Sequence, residues 1–176
     1  MKKIIVFLFL SLIFSPVFAS LNKTLSEESS RKILNTEKKF SVVVFMNRLC
    51  PCTNHNTEYL NDLSKKFERI HFIGIHSVKN TKDELVSTYQ KSKNLNFQLL
   101  NDENLSLADE LEANRTPQVF IIDNQSKKIL YVGGVTDRTN PTSAENHYLK
   151  NALDEIVSTN SLTPVTHRSL GCAIVR

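Results

Sequence analysis

The sequence predicts a layered α/β domain with a central mixed β-sheet flanked by helices. Three observations carry this. Apolar, β-branched runs at 40–46, 70–76 and 118–123 alternate with stretches of helical periodicity. A polar turn at 124–128 joins the last of these runs to another, 129–132, as the two arms of a hairpin. A final amphipathic stretch, 144–157, then supplies a helix to cover one sheet face.

Taken in order, the chain opens with Lys2-Lys3, an apolar run from Ile4 to Phe14, and Ser15-Pro16-Val17-Phe18-Ala19-Ser20. This is the three-part form of a secretory signal cut after Ala19. The run falls short of the ~20 residues of a membrane span. No stable membrane span is therefore expected after cleavage, and no cysteine near the junction marks a lipid anchor. The expected divisions are a signal peptide at 1–19, a leader segment at 20–39, a domain at 40–158 and a tail at 159–176 that carries Cys172. The product is expected in the periplasm or outside the cell, where disulfides persist.

Within the leader, Leu25, Ile33 and Leu34 support a short helix. Phe40–Met46 reads as a buried strand. The helix after Cys52 sets Tyr59, Leu60, Leu63 and Phe67 on one face. Ile70–His76 is apolar nearly throughout, which predicts a central strand. Thr81 and Glu84 have the spacing of a capping box for a helix reaching Lys93. Phe97–Leu100 predicts a short strand and Leu105–Ala113 a short helix. Arg115-Thr116-Pro117 precedes the hairpin, and Gly133-Gly134 ends it. The last helix turns Tyr148, Leu149, Ala152, Leu153 and Ile156 to one side.

The formal charge of +4 includes Lys2 and Lys3, so the exported chain carries about +2. That charge, with no basic stripe interleaved with aromatics, excludes a nucleic-acid partner. No Gly-rich phosphate loop or Ser-His-Asp order is present.

The chemistry concentrates at Arg48-Leu49-Cys50-Pro51-Cys52-Thr53-Asn54, where a strand hands over to a helix. Free N–H groups and the positive end of the helix dipole stabilise a thiolate there, and Arg48 is expected to add to the effect. Three cysteines in an exported chain leave one that is free, reactive or paired with another molecule.

The order of elements, with cysteines at the first strand-to-helix junction and Thr116-Pro117 before a hairpin, resembles the thioredoxin fold. More narrowly, Cys50-Pro51 with Thr53-Asn54, Phe72–Ser77, Arg115–Phe120 and the closing Gly171-Cys172-Ala173-Ile174 resemble exported redoxins. Those belong to the alkyl-hydroperoxide-reductase and thiol-specific-antioxidant (AhpC/TSA) superfamily. The resemblance spans about Phe40 to Ile174. It implies a thiol-dependent oxidoreductase performing thiol–disulfide exchange or peroxiredoxin-like antioxidant chemistry. It also implies a cis Thr116–Pro117 bond beside the reactive cysteine, with the backbone before the proline pairing a substrate peptide and Arg115 lending charge nearby. Departures from the pattern are visible. Thr53 stands where thioredoxin has its second cysteine, and Asn47 where peroxiredoxins have a threonine.

Residues two apart on a helix are rotated by about 200°, so the Cys50 and Cys52 sulfurs are expected to diverge. Attention therefore moves to Cys172, which on a flexible tail can swing in and resolve an oxidised, solvent-reachable Cys50. The candidate catalytic residues are Cys50 as nucleophile, Cys172 as resolving partner and Cys52 as alternative partner. Thr116, Pro117 and Arg115 are the candidate substrate-binding residues. A permanent Cys50–Cys172 staple is the bland alternative, worth ~4–5 kcal/mol in the chain-entropy model; it would make the domain a redox-inert binding module. The other alternative is a copper- or zinc-binding module using Cys50, Cys52 and His55. The exchange reading itself needs no cofactor and no metal. Its partners are protein thiols or disulfides, or a peroxide, together with a thiol electron donor. His76 ends a strand near the site face; His71, His147 and His167 read as structural or surface residues.

Overall fold

A computed structural model describes residue 21 and residues 23–176, and the expected signal peptide lies outside them. The elements follow in the order α1 (Glu27–Ile33), β1 (Phe40–Met46), α2 (Pro51–Lys66), β2 (His71–His76), α3 (Asp83–Ser92), β3 (Gln98–Asn101) and α4 (Ser106–Glu110). Then come β4 (Arg115–Thr116), β5 (Gln118–Asp123), β6 (Lys128–Gly133), α5 (Tyr148–Thr159), β7 (Val165–Thr166) and β8 (Cys172–Ala173). Six strands form a mixed sheet in the order β3-β2-β1-β5-β6-β7, while β4 and β8 pair separately. β1 runs parallel to β2 and antiparallel to β5, so Val43 lies between Ile73 and Phe120. Its sequence, apolar except for Ser41, suits a strand whose every residue is buried.

Alternation along β1 divides the interior in two. Val42, Val44 and Met46 join a core completed by Leu60 and Leu63 of α2, Val86 of α3 and Leu149 and Leu153 of α5. Val43 and Phe45 join the opposite core, with Ile33 of α1 and Leu107 and Ala108 of α4. Fully burying each such aliphatic side chain contributes about 1.5–3 kcal/mol. The fold is thioredoxin-like, a central mixed sheet covered by helices on both faces.

Leu25 and Ile33, which precede β1, pack in the second core. Two local expectations change. The capping box does not form: Lys82 is the N-cap of α3 and offers no side-chain bond, and Thr81 instead gives its carbonyl to the Asn101 amide at 2.7 Å. α5 starts at Tyr148, because Asp137 takes the Glu145 N–H at 3.1 Å and the Asn146 side chain at 3.0 Å, holding the preceding residues in a loop. Among the described residues no helix is long and apolar enough to cross a membrane.

Candidate functional site

The turn after β1 sets the reactive position. Leu49 N–H donates to Asn47 Oδ1 at 2.8 Å and Cys50 N–H to Asn47 O at 3.0 Å. The backbone stays extended at Cys50 (φ −83°, ψ 118°), which becomes the N-cap of α2 with Pro51 just inside the helix. Proline is pre-set for that place, since its missing N–H would have no helical partner there. Thr53, fully buried, accepts the Asn47 N–H on its hydroxyl at 3.3 Å and ties the turn to the first helical coil.

The Cys50, Cys52 and Cys172 sulfurs all lie within 4.8 Å of one another. The expected divergence of Cys50 from Cys52 does not occur. The 200° rotation holds only between two helical residues, and extended backbone at Cys50 turns its side chain toward that of Cys52.

The tail is not a free arm. β8 pairs antiparallel with β4, Cys172 opposite Thr116 and Ala173 opposite Arg115. Ile174 N–H donates to Asn114 O at 3.0 Å, and its side chain is buried in the second core. Arg176 closes the segment on Asp109 Oδ1 at 2.7 Å and Ala113 O at 2.8 Å. Cys172 is thus held beside Cys50 by strand pairing. β8 packs directly over the site, and Cys50 is only 1% exposed, which corrects the expectation of a solvent-reachable thiol. Cys52 and Cys172 are half-buried. Gly171 is needed for this closeness, because a Cβ there would sit 2.1 Å from Thr116 O.

The Thr116–Pro117 peptide is cis. Cys50 Sγ donates to Thr116 O at 3.1 Å, and the buried Thr116 Oγ1 has no hydrogen-bond partner among the described residues. Arg115 donates to Gly171 O at 3.2 Å, so it braces the tail. His55 is exposed and takes no part in the sulfur cluster. His71 Nδ1 meets Ser41 Oγ at 3.2 Å, His147 Nδ1 meets Tyr59 OH at 2.9 Å, and His167 stacks on Tyr148.

Burial pushes the Cys50 thiol up, yet donation chiefly from the Cys172 S–H and from the Thr53 and Cys172 N–H groups brings it down to about 7. Cys172, whose proton Cys50 holds, is pushed up to about 11, with burial and the Cys50 charge adding to the effect. Burial and the same charge raise Cys52. One sulfur ionises and the other two keep their protons. The lowering comes from hydrogen bonds at the helix start and from β8, whereas the charge of Arg48 acts on His76. The thiolate absorbance of the reduced protein is therefore expected to rise with pH through a midpoint near 7. In Cys172→Ala that midpoint is expected to move up, because the S–H donor to the sulfur is lost.

His76 is buried with neither ring nitrogen partnered among the described residues, and burial, then Arg48, lower it to about 4. The unfolded chain therefore binds a proton below its ordinary value that the folded chain refuses, and stability falls as pH drops from about 6.5 toward 4. Urea unfolding across that range is expected to lose up to about 3 kcal/mol, and His76→Leu to flatten the loss.

Sequence reasoning missed the packing roles of Thr53 and Gly171, and it missed Tyr89, whose hydroxyl donates to Asn54 Oδ1 at 3.1 Å and whose ionisation is held back by burial and, less, by the Cys50 charge. The Gly-Cys pair at 171–172 was the available signal for a close backbone approach.

A thioredoxin-like chain with a three-thiol cluster against a cis proline is the class that fold and site define. The chain belongs to the family described as "Domain of unknown function (DUF6436)", whose model matches residues 18–174. No curated protein matches the sequence. Among solved structures, an uncharacterized conserved protein from Geobacillus kaustophilus is 23% identical with TM-score 0.69, covering 79% of this chain and 78% of its own. A hypothetical protein from Sinorhizobium meliloti is 22% identical with TM-score 0.68, covering 78% and 80%. An uncharacterized thioredoxin-like protein from Porphyromonas gingivalis is 16% identical with TM-score 0.57, covering 72% and 80%. These similarities establish the fold.

Proposed function

We propose that the protein is an exported thiol–disulfide exchange protein in which Cys50 attacks and Cys172 resolves. The observation that carries this reading is the placement of Cys172 against Cys50 by β4–β8 pairing, one sulfur tuned toward thiolate and its neighbour kept as thiol.

In the reductive direction the Cys50 thiolate attacks a substrate disulfide once β8 lifts. A bond forms to one substrate sulfur, and the other leaves as a thiolate. Cys172 gives its proton to that leaving thiolate, attacks the Cys50 sulfur and releases the second substrate sulfur. Two electrons pass to the substrate, and the protein is left with a Cys50–Cys172 disulfide, which an external dithiol of the compartment reduces again. Thr116 and Pro117 border the attacking sulfur and offer backbone to a peptide, while Arg115 steadies the tail that must move.

Peroxide is the other substrate class for the same sulfur. The thiolate would take one oxygen to become a sulfenic acid, hydroxide would leave, and Cys172 would condense with loss of water. The buried site beneath a peptide-like strand favours disulfide exchange. Export is supported by the signal-like segment at 1–19, and the expected substrates are protein disulfides rather than nucleic acid.

The test is single-turnover reduction of a peptide disulfide by the reduced protein, beside the same measurement with hydrogen peroxide. Exchange predicts rapid peptide reduction coupled to loss of the Cys50 and Cys172 thiols, with peroxide reacting no faster than with a free thiolate. Reaction with peroxide alone would overturn it. Cys52→Ser is expected to slow exchange by less than about 10-fold, because Cys52 is not the ionised sulfur and does not lie on the strand that pairs with β4. A larger loss would make Cys52 the partner.

A further inference from the structure

The same three sulfurs carry a second chemistry that does not require disulfide exchange. We infer that in the reduced protein Cys50, Cys52 and Cys172 form a three-thiolate site for a soft monovalent cation, namely monovalent copper.

The geometry supports this. A thiolate–metal bond of about 2.3 Å places three sulfurs in a plane about 4.0 Å apart. The sulfurs lie within 4.8 Å of one another, so each needs to move inward by no more than about 0.5 Å. Two are fixed on the turn and first coil of α2, and the third is fixed by β8, so little ordering remains to be done on binding. Among the described residues the cluster contains sulfur alone, with no imidazole or carboxylate. Zinc prefers four ligands, whereas soft thiolate ligands suit monovalent copper. Burial of Cys50 keeps water from one side, and the half-buried Cys52 and Cys172 leave an approach from the other. As the ion enters, each thiol that becomes a ligand loses its proton to solvent, and no electron is transferred. A Cys50–Cys172 disulfide would remove two of the three ligands, so binding belongs to the reduced state only.

The experiment titrates reduced, metal-free protein anaerobically with monovalent copper against bicinchoninate, and separately with zinc against a zinc chelator. The expected result is one copper ion per chain held against bicinchoninate. Outer-sphere changes at metal sites already cost 10–100-fold, so Cys52→Ser and Cys172→Ser should each weaken binding by at least about 100-fold. Both positions are half-buried, so these two variants decide the matter even if Cys50→Ser folds poorly. His55→Ala should bind as the parent does, and the oxidised protein should not compete. Failure to compete with bicinchoninate, one ion shared by two chains, unchanged binding in Cys172→Ser, or retention of zinc in preference to copper would overturn the assignment. Exchange activity is read in metal-free protein, so the failure of either idea is distinguishable from failure of the other.

Discussion

Replacing Cys50 with serine is expected to reduce peptide-disulfide reduction by at least about 1,000-fold while leaving the fold intact. A serine hydroxyl does not ionise near neutral pH, and it cannot enter a mixed disulfide. The substitution also changes a neighbour. Cys172 is raised chiefly because Cys50 holds its proton, with the Cys50 charge adding to this. In Cys50→Ser the Cys172 thiol is therefore expected to titrate closer to an ordinary cysteine, and its alkylation at pH 8 to become faster than in the parent. Turnover, thermal unfolding and peptide-resolved alkylation together separate this outcome from simple loss of structure. Full activity in a folded Cys50→Ser protein would remove Cys50 from the mechanism.

Gly171→Ala should have the second-largest effect, and it acts through space alone. The added methyl would stand 2.1 Å from Thr116 O, 2.7 Å from Thr116 C and 3.1 Å from Pro117 N. All three are backbone atoms, so no side chain can rotate out of the way and β8 must shift. Such overpacking typically costs about 1–3 kcal/mol. The shift carries Cys172 from Cys50 and withdraws the S–H and N–H donors that help lower the Cys50 thiol. Three changes are expected together: faster alkylation of Cys50 by a bulky reagent at pH 9, a higher thiolate midpoint, and build-up of the substrate–Cys50 mixed disulfide because resolution is slow. Accelerated alkylation with normal resolution would show that β8 covers Cys50 without positioning Cys172.

The fold was legible where burial alone dictates sequence. β1 lies between two strands and under two cores, so its seven residues are apolar except for Ser41, and no polar alternation obscures it. Cys50 before Pro51 was legible for a related reason, since proline marks the first helical position and leaves the preceding residue as cap. What escaped was set by contacts distant in sequence. β4 and β8 are two residues each, too short for a periodic signal, and they are joined by a close approach that only a residue without a Cβ allows. Without that pairing in view, the tail read as mobile and Cys50 as exposed. A different limit explains Cys52. Helical spacing was applied from Cys50 onward although the cap residue is extended, which wrongly separated the two sulfurs.

The most direct measurement is peptide mapping by mass spectrometry after mild oxidation of the reduced protein, with free thiols alkylated under denaturing conditions. A bond between Cys50 and Cys172, with Cys52 alkylated and the bond opened again by a dithiol under native conditions, is the predicted result. A bond that joins Cys50 to Cys52, or a Cys50–Cys172 bond that no dithiol opens until the protein unfolds, would contradict a reversible exchange pair built on β8.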